Sequence, residues 1–259
     1  MKIDIYIVDA FCEKRFKGNP AAVCILDKWL DDDIMQKIAM ENNLSETAFI
    51  KRNKDSYDLR WFTPEYEIDL CGHATLASAY IIFNKLDKDI NNIRFNTKSG
   101  EIYVYRVEDM IKLNFPIREG ERISVDERII EALGIIPIDV YKNRDLMIVL
   151  RDEEDIKYLQ PNFDILKTLG FDGIVVTAKG TKVDFVSRYF IPNSVINEDP
   201  VTGSSHCTLV PYWAKRLKKT ELVAKQLSKR GGKLYCKLNN DIIEISGKAT
   251  IYMEGTIYV

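Results

Sequence analysis

Two short segments recur in the same order along the chain at nearly the same spacing, and this limits the possible folds more than any single element does. Gly72-His73 and Gly203-Ser204 each end a polar, acidic loop and open a stretch suited to a buried helix. Downstream, Lys98-Ser99-Gly100-Glu101-Ile102-Tyr103 matches Arg230-Gly231-Gly232-Lys233-Leu234-Tyr235, with 28 residues from Gly72 to Gly100 and 29 from Gly203 to Gly232. Upstream, Trp61-Phe62-Thr63-Pro64 and residues 185–192 share an aromatic-then-proline ending. A repeat of this kind predicts two similar lobes, each a set of strands around one central helix. The lobe boundary falls between residue 116 and about residue 125.

The intervening sequence fits that plan. Residues 3–8 and 21–26 read as strands, with Gly18-Asn19-Pro20 as a turn between them. Residues 31–42 carry Ile34, Met35, Ile38 and Ala39 at helical spacing behind Asp31-Asp32-Asp33, which favours a helix N-terminus. Strands are expected around residues 48–50, 57–62, 93–95, 100–105 and 111–115. In the second half, helices are expected at 126–133 and 164–169 and strands at 145–150 and 173–177, before a central helix at 204–217. The final stretch, 249–259, is strand-like and could close either lobe.

At 259 residues and 46% hydrophobic, the chain can bury one large core or two of ordinary size. Its net charge of −2 comes from interleaved acids and bases, so there is no basic field for a nucleic acid or an anionic membrane. The N-terminus reads as a charged strand rather than a secretory leader, and the longest nearly apolar run, 74–83, is too short to span a bilayer. Five scattered cysteines without a C-x-x-C pair suggest free thiols, hence a soluble cytoplasmic protein with neither a zinc site nor a disulfide framework.

The chemistry is expected at the two helix starts, where unpaired N–H groups and the helix dipole suit an anion such as a carboxylate. The chain has only two histidines, His73 and His206, each in the first turn of a predicted central helix. In a two-lobed protein these starts could face one another across a cleft. His73 directly follows the glycine and is a candidate hydrogen-bond donor or proton carrier. His206 reads instead as packing within its helix, because Ser204 is the residue that matches His73. Asp199 precedes the second helix, where it either caps the helix or serves a ligand. Glu46 lies at an outer strand end or is desolvated in a cleft; the residues alone favour the surface, but desolvation would raise its proton affinity, as an acid that later acts as a base requires.

Asp9-Ala10-Phe11, Gly18-Asn19-Pro20-Ala21-Ala22-Val23, Asn43-Leu44-Ser45-Glu46-Thr47-Ala48-Phe49, Arg60-Trp61-Phe62-Thr63-Pro64, Asp69-Leu70-Cys71-Gly72-His73-Ala74-Thr75-Leu76, Ser187-Arg188-Tyr189-Phe190, Glu198-Asp199-Pro200-Val201-Thr202-Gly203-Ser204 and Gln226-Leu227-Ser228-Lys229-Arg230-Gly231-Gly232 together resemble the signatures of the PhzF-like isomerase family of phenazine biosynthesis. The resemblance runs nearly end to end. It implies an α+β, diaminopimelate-epimerase-like fold: two pseudo-symmetric lobes, each a curled β-sheet or barrel around a central helix, with the active site between them. The lobes would be 1–118, which the last strand 249–259 is able to complete, and 119–248.

The resemblance further implies a homodimer that needs no metal, nucleotide or pyridoxal cofactor and acts on a small carboxylic acid. Glu46 matches the acid–base glutamate, His73 and Asp199 the accessory catalytic positions, and Gly72, Gly203 and Ser204 the substrate-binding helix starts. The epimerases of this fold use two opposed cysteines. Cys71 matches the first, but the second position falls at about Pro200, and Cys207 lies inside the helix, so carboxylate proton transfer is favoured over two-thiol racemisation. Alternatives are an amino-acid or hydroxy-acid epimerase using Cys71, a non-catalytic metabolite-binding protein, and, more distantly, metal-dependent hydrolysis by His73, His206, Asp199 and Glu46.

Overall fold

Parallel strand pairs need a crossover, and each of the longer helices in this chain is such a crossover. The computed structural model describes residues 1–194 and 196–259. It divides into two compact units, one made of Met1–Asn114 with Ser246–Val259 and the other of Phe115–Ile245.

In the first unit, β1 (Lys2–Ala10) pairs antiparallel with β2 (Asn19–Leu26), and β2 runs parallel to β3 (Glu46–Asn53) across helix α1 (Asp32–Asn42). β3 pairs antiparallel with β4 (Ser56–Phe62), whose end forms a short hairpin with β5 (Glu67–Ile68). Helix α2 (Gly72–Ile81), extended by a π-helical turn at Ile82–Leu86, then crosses to β6 (Asn92–Thr97), parallel to β4. β7 (Gly100–Val107) and β8 (Met110–Pro116) complete an antiparallel meander. The last strand of the chain, Ala249–Tyr258, pairs antiparallel with β1 and so closes this unit.

The second unit repeats this order. β9 (Glu121–Ile123) pairs antiparallel with β10 (Asp139–Lys142), as the last strand pairs with β1, and helix α3 (Glu127–Leu133) lies between them in sequence. β10 pairs antiparallel with β11 (Leu146–Val149). Two one-turn helices, α4 (Glu153–Lys157) and α5 (Phe163–Lys167), lead to β12 (Ile174–Lys179), parallel to β11. β12 pairs with β13 (Phe185–Phe190), which forms a short hairpin with β14 (Glu198–Asp199). Helix α6 (His206–Leu217) crosses to β15 (Glu221–Gln226), parallel to β13 and antiparallel to β16 (Gly232–Leu238); β17 (Ile242–Gly247) follows. The senses of successive pairings are the same in both units.

Local chemistry explains the helices. α1 buries Met35, Ile38 and Ala39 against Ile3, Ile5, Ala22, Cys24 and Phe49, keeps Asp32 and Asp33 in its first turn, and stops where Asn43 turns left-handed at φ 47°. α2 has no polar face: eight of its ten residues are buried, which makes it a central helix rather than a surface one. α6 carries Pro211, which has no N–H to offer the carbonyl of Cys207; that oxygen instead accepts the N–H of Arg118 at 3.0 Å.

The duplication extends to side chains. Arg60 holds Glu67 through two hydrogen bonds of 2.7 and 2.8 Å across the β4–β5 hairpin, and Arg188 holds Glu198 through two of 2.7 and 2.9 Å across β13–β14. Each guanidinium also lies over the phenylalanine two residues on, Phe62 or Phe190.

Candidate active site

In the first unit the site is built by β2, β3 and the start of α2. Parallel pairing sets Ala21 opposite Glu46 at the head of β3, and Asn19 lies two residues before Ala21 at the head of β2. α2 begins at Gly72 with Cys71 as its N-cap, a residue whose side chain makes no capping hydrogen bond. Its first side chain, His73, is 5% exposed. Glu46 Oε2 approaches His73 Nε2 to 3.0 Å, and the Glu46 side chain is 16% exposed. The surface placement that composition favoured for Glu46 is therefore corrected: α2 packs over the strand end and takes the carboxylate largely out of water. The two atoms are within ion-pair distance without the alignment of a hydrogen bond.

The other edge of the imidazole faces Asn19 and Cys71. Asn19 Nδ2 lies 3.1 Å from His73 Nδ1, and Cys71 Sγ lies 3.5 Å from the same nitrogen. Burial lowers the proton affinity of His73, but the neighbouring Cys71 and Glu46 together raise it well above the ordinary imidazole value. Burial first, and then the charge of Glu46, push the Cys71 thiol up, with His73 pulling the other way. The thiol is thus held protonated at neutral pH.

Glu46, Cys71 and His73 offer donor atoms within 4.8 Å of one another. A tetrahedral metal site needs its donors to converge on one point. Here the thiol lies nearest Nδ1 and the carboxylate nearest Nε2 of one imidazole, a cluster in which the ring can pass or fix a proton.

In the second unit, Asp199 ends β14 and is 9% exposed. Its carboxylate accepts the hydroxyl of Thr202, whose N–H donates to Gln226 Oε1 at 2.9 Å, while Gln226 Nε2 donates to the carbonyl of Asp199 at 2.7 Å. The helix does not begin at Ser204 as the sequence suggested. Residues 203–205 form a tighter turn, with His206 N–H bonded to Gly203 O and Cys207 N–H to Ser204 O, both at 3.1 Å, and α6 proper starts at His206. Ser204 Oγ accepts a 3.2 Å hydrogen bond from Arg144, which is also paired with Asp145.

His206 is fully buried, with Nδ1 2.9 Å from Thr202 O and its ring against Phe185. Burial pushes its pKa down to about 4, so it packs as a neutral residue.

One correspondence needs correction. The matched hairpins set Phe62 opposite Glu67 and Phe190 opposite Glu198. Counting from the two glutamates, Cys71 corresponds to Thr202, not Pro200. The counterpart still carries no thiol. Asn19, Arg144 and Gln226 went unnoticed as site residues; the signal for Asn19 was its place between Gly18 and Pro20, which read only as a turn.

The family described as phenazine biosynthesis-like protein, PhzC-PhzF, matches residues 8–255. A Pseudomonas aeruginosa protein named an uncharacterized isomerase is 50% identical over 259 residues, covering all of both chains. A crystal structure of a PhzF-family protein from Enterococcus faecalis superposes with a TM-score of 0.98 at 49% identity, again over all of both chains. A hydroxyproline epimerase from Agrobacterium vitis shares the fold alone, with a TM-score of 0.66 at 9% identity over 99% of this chain and 92% of that one. The fold is thus the α+β one of the diaminopimelate epimerases and proline racemases. Among the described residues no helix is long and apolar enough to cross a membrane.

Proposed function

Since the chain belongs to the PhzC-PhzF phenazine biosynthesis-like family, we propose that it is an isomerase in which Glu46 moves a proton between carbons of a small carboxylic-acid metabolite. The Glu46 carboxylate removes a proton from one carbon, the electron pair delocalises toward the substrate's unsaturated or carboxyl group, and the resulting carboxylic acid returns the proton to another carbon. Atoms and charge balance without a metal, nucleotide or pyridoxal cofactor. Helix-start N–H groups near Gly72, or near Gly203 and Ser204, hold the substrate's anionic group and oppose the build-up of charge. His73 and Asp199 hold polar groups and assist proton transfer. The assembly that goes with this reading is a cytoplasmic homodimer.

The observation that supports it most directly is the largely buried Glu46 carboxylate 3.0 Å from His73 Nε2. Glu46→Gln keeps size and polarity but cannot accept a proton. Turnover is expected to fall by roughly 10²–10⁴-fold, with ligand binding retained in calorimetry. Incubating small unsaturated carboxylic acids with the enzyme in D₂O follows the transferred proton by NMR, and full activity in the variant would remove Glu46 from the mechanism.

A second reading rests on the buried Cys71 thiol, 3.5 Å from His73: an epimerase in which Cys71 is a base. The raised thiol pKa opposes it. Cys71→Ala is expected to keep most turnover under the first reading and to abolish it under the second.

A further inference from the structure

Asn19 is buried completely, yet the chemistry proposed for Glu46 gives it no task. Its side chain is fixed by the residues around it. Gly18 takes φ +71°, and a Cβ there would lie 2.1 Å from the carbonyl oxygen of Ala10, so the turn into β2 depends on glycine. Pro20 follows and holds Asn19 in an extended conformation, with Asn19 opposite Ala10 in the β1–β2 ladder. The amide nitrogen thereby reaches to 3.1 Å from Nδ1 of His73.

An amide nitrogen can only donate, so the ring nitrogen it meets must be the acceptor. When one imidazole nitrogen accepts in this way, the proton of the neutral ring belongs to the other. We infer that Asn19 is a positioning residue: by donating to Nδ1 it fixes the neutral His73 ring with its proton on Nε2, the nitrogen that faces Glu46. The inference rests on the isomerase reading only for its purpose. Nε2–H then lies on the side of the carboxylate, 3.0 Å away, in each catalytic cycle, and the nitrogen beside Glu46 does not compete with it for the substrate's proton.

The groups that face the ring act in opposite senses. Glu46, from β3, favours a second proton, on Nδ1 as well as Nε2, whereas the Asn19 donor, from β2, opposes one on Nδ1. Cys71, from the lead-in to α2, is a thiol held protonated by burial. On β1, the buried Asp9 carboxylate accepts the N–H of Phe16 at 2.9 Å.

The chain's two histidines make this measurable. In uniformly ¹⁵N-labelled protein, long-range proton–nitrogen NMR spectra separate the Nε2–H tautomer, the Nδ1–H tautomer and the imidazolium, and a His206→Asn variant assigns the His73 signals. In wild type, the neutral His73 ring is expected as the Nε2–H tautomer once pH is raised past its titration. Asn19→Asp keeps the shape but sets an acceptor against Nδ1, and should move the His73 titration upward by about one pH unit or more. Asn19→Leu removes the donor and should populate the Nδ1–H tautomer.

In turnover, both variants should change kcat and displace its pH profile more than they change KM. A neutral wild-type ring protonated at Nδ1 would overturn the inference, and so would an unchanged titration in a folded Asn19→Asp protein. The wild-type spectrum decides even if a variant does not fold. Full activity in Glu46→Gln would refute the isomerase reading and leave the tautomer result standing, whereas an Nδ1–H tautomer would refute this inference and leave the role of Glu46 intact.

Discussion

His206 should make the folded protein lose stability between about pH 6.5 and pH 4, through a mechanism separate from the carboxylates. Its ring is fully buried, Nδ1 lies on the carbonyl of Thr202, and Nε2 has no hydrogen-bond partner among the described residues. Protonation would bury an N–H⁺ with nothing to accept it, which is why burial holds the pKa at about 4 against an ordinary 6.5. The unfolded chain therefore binds a proton in this window and the folded protein does not, so stability falls as pH falls. A drop of this size is worth about 3 kcal/mol in full, at roughly 1.4 kcal/mol per pH unit, of which about 2.5 kcal/mol has been lost by pH 4.5.

Urea unfolding followed by tryptophan fluorescence, for wild type and His206→Asn at several pH values from 7.5 to 4.5, isolates this loss. Asn keeps a donor near Thr202 O and does not titrate, so its smaller size lowers stability by a constant amount. His73 does not interfere, because a raised pKa contributes stability that is complete below 6.5 and is lost only as pH rises. Lowered carboxylates such as Glu67 weaken the fold at acid pH equally in both proteins. Wild type should thus lose about 2.5 kcal/mol more than the variant between pH 7.5 and 4.5. Parallel curves would refute the neutral, unsatisfied state assigned to His206.

Three further substitutions follow, the first two of which test the duplicated architecture. Arg188→Ala should cost more stability than Arg60→Ala, about 2–4 against about 1–3 kcal/mol, because Glu67 keeps Lys98 as a partner while Arg188 also supplies the carbonyls of Ile156 and Leu159; paired denaturation curves would show the order, and the reverse order would be contrary to it. Gly18→Ala brings a methyl group against Ala10 O at 2.1 Å in a left-handed turn, and should cost about 2 kcal/mol or more while releasing Asn19 from His73, as the His73 NMR signals would show.

Much of the secondary structure could be read from the chain because it rests on periodicity: α1 from Met35, Ile38 and Ala39, α2 from an apolar run without a breaker, the strands from alternation. Some of the strands not expected from the sequence have no local signature, although β15 and β17, which alternate, were not expected either. β5 and β14 are two residues long, and β10 is four, too short for alternation to register. The start of α6 was set two residues early because a tight turn and an α-helix begin with the same residue types. The partner of the last strand was open for a different reason: alternation states which face of a strand is buried but not which strand lies beside it. Pairing with β1 supplies that information. The burial of Glu46 was hidden in the same way, since it depends on the register of β2 with β3 and on α2 above them. The motif order marked Glu46, His73 and Asp199 through resemblance, but the partners that set their behaviour lie far off in sequence: Asn19 is 54 residues from His73 and Gln226 is 24 from Thr202.

The two units set different residues on one backbone plan. Each ends a hairpin with an arginine–glutamate clamp and turns from there into its central helix. What differs is the residue set on that frame. The first unit has Cys71 and His73, against a carboxylate and an amide from neighbouring strands, giving a titratable cluster around one imidazole. The second has Thr202 and Ser204, with Asp199 tied to the Thr202 hydroxyl and Gln226 to the backbone on either side, giving a set of fixed hydrogen bonds around one carboxylate. A group meant to change protonation needs partners of opposing effect, as Glu46 and Asn19 are for His73, whereas Asp199 is held by a hydroxyl donor from Thr202 within a fixed hydrogen-bond set. That division argues for proton movement in the first unit and for holding a ligand's polar groups in the second. It fails if Asp199→Asn, which keeps the shape but removes the charge, reduces proton exchange as fully as Glu46→Gln while leaving ligand affinity unchanged.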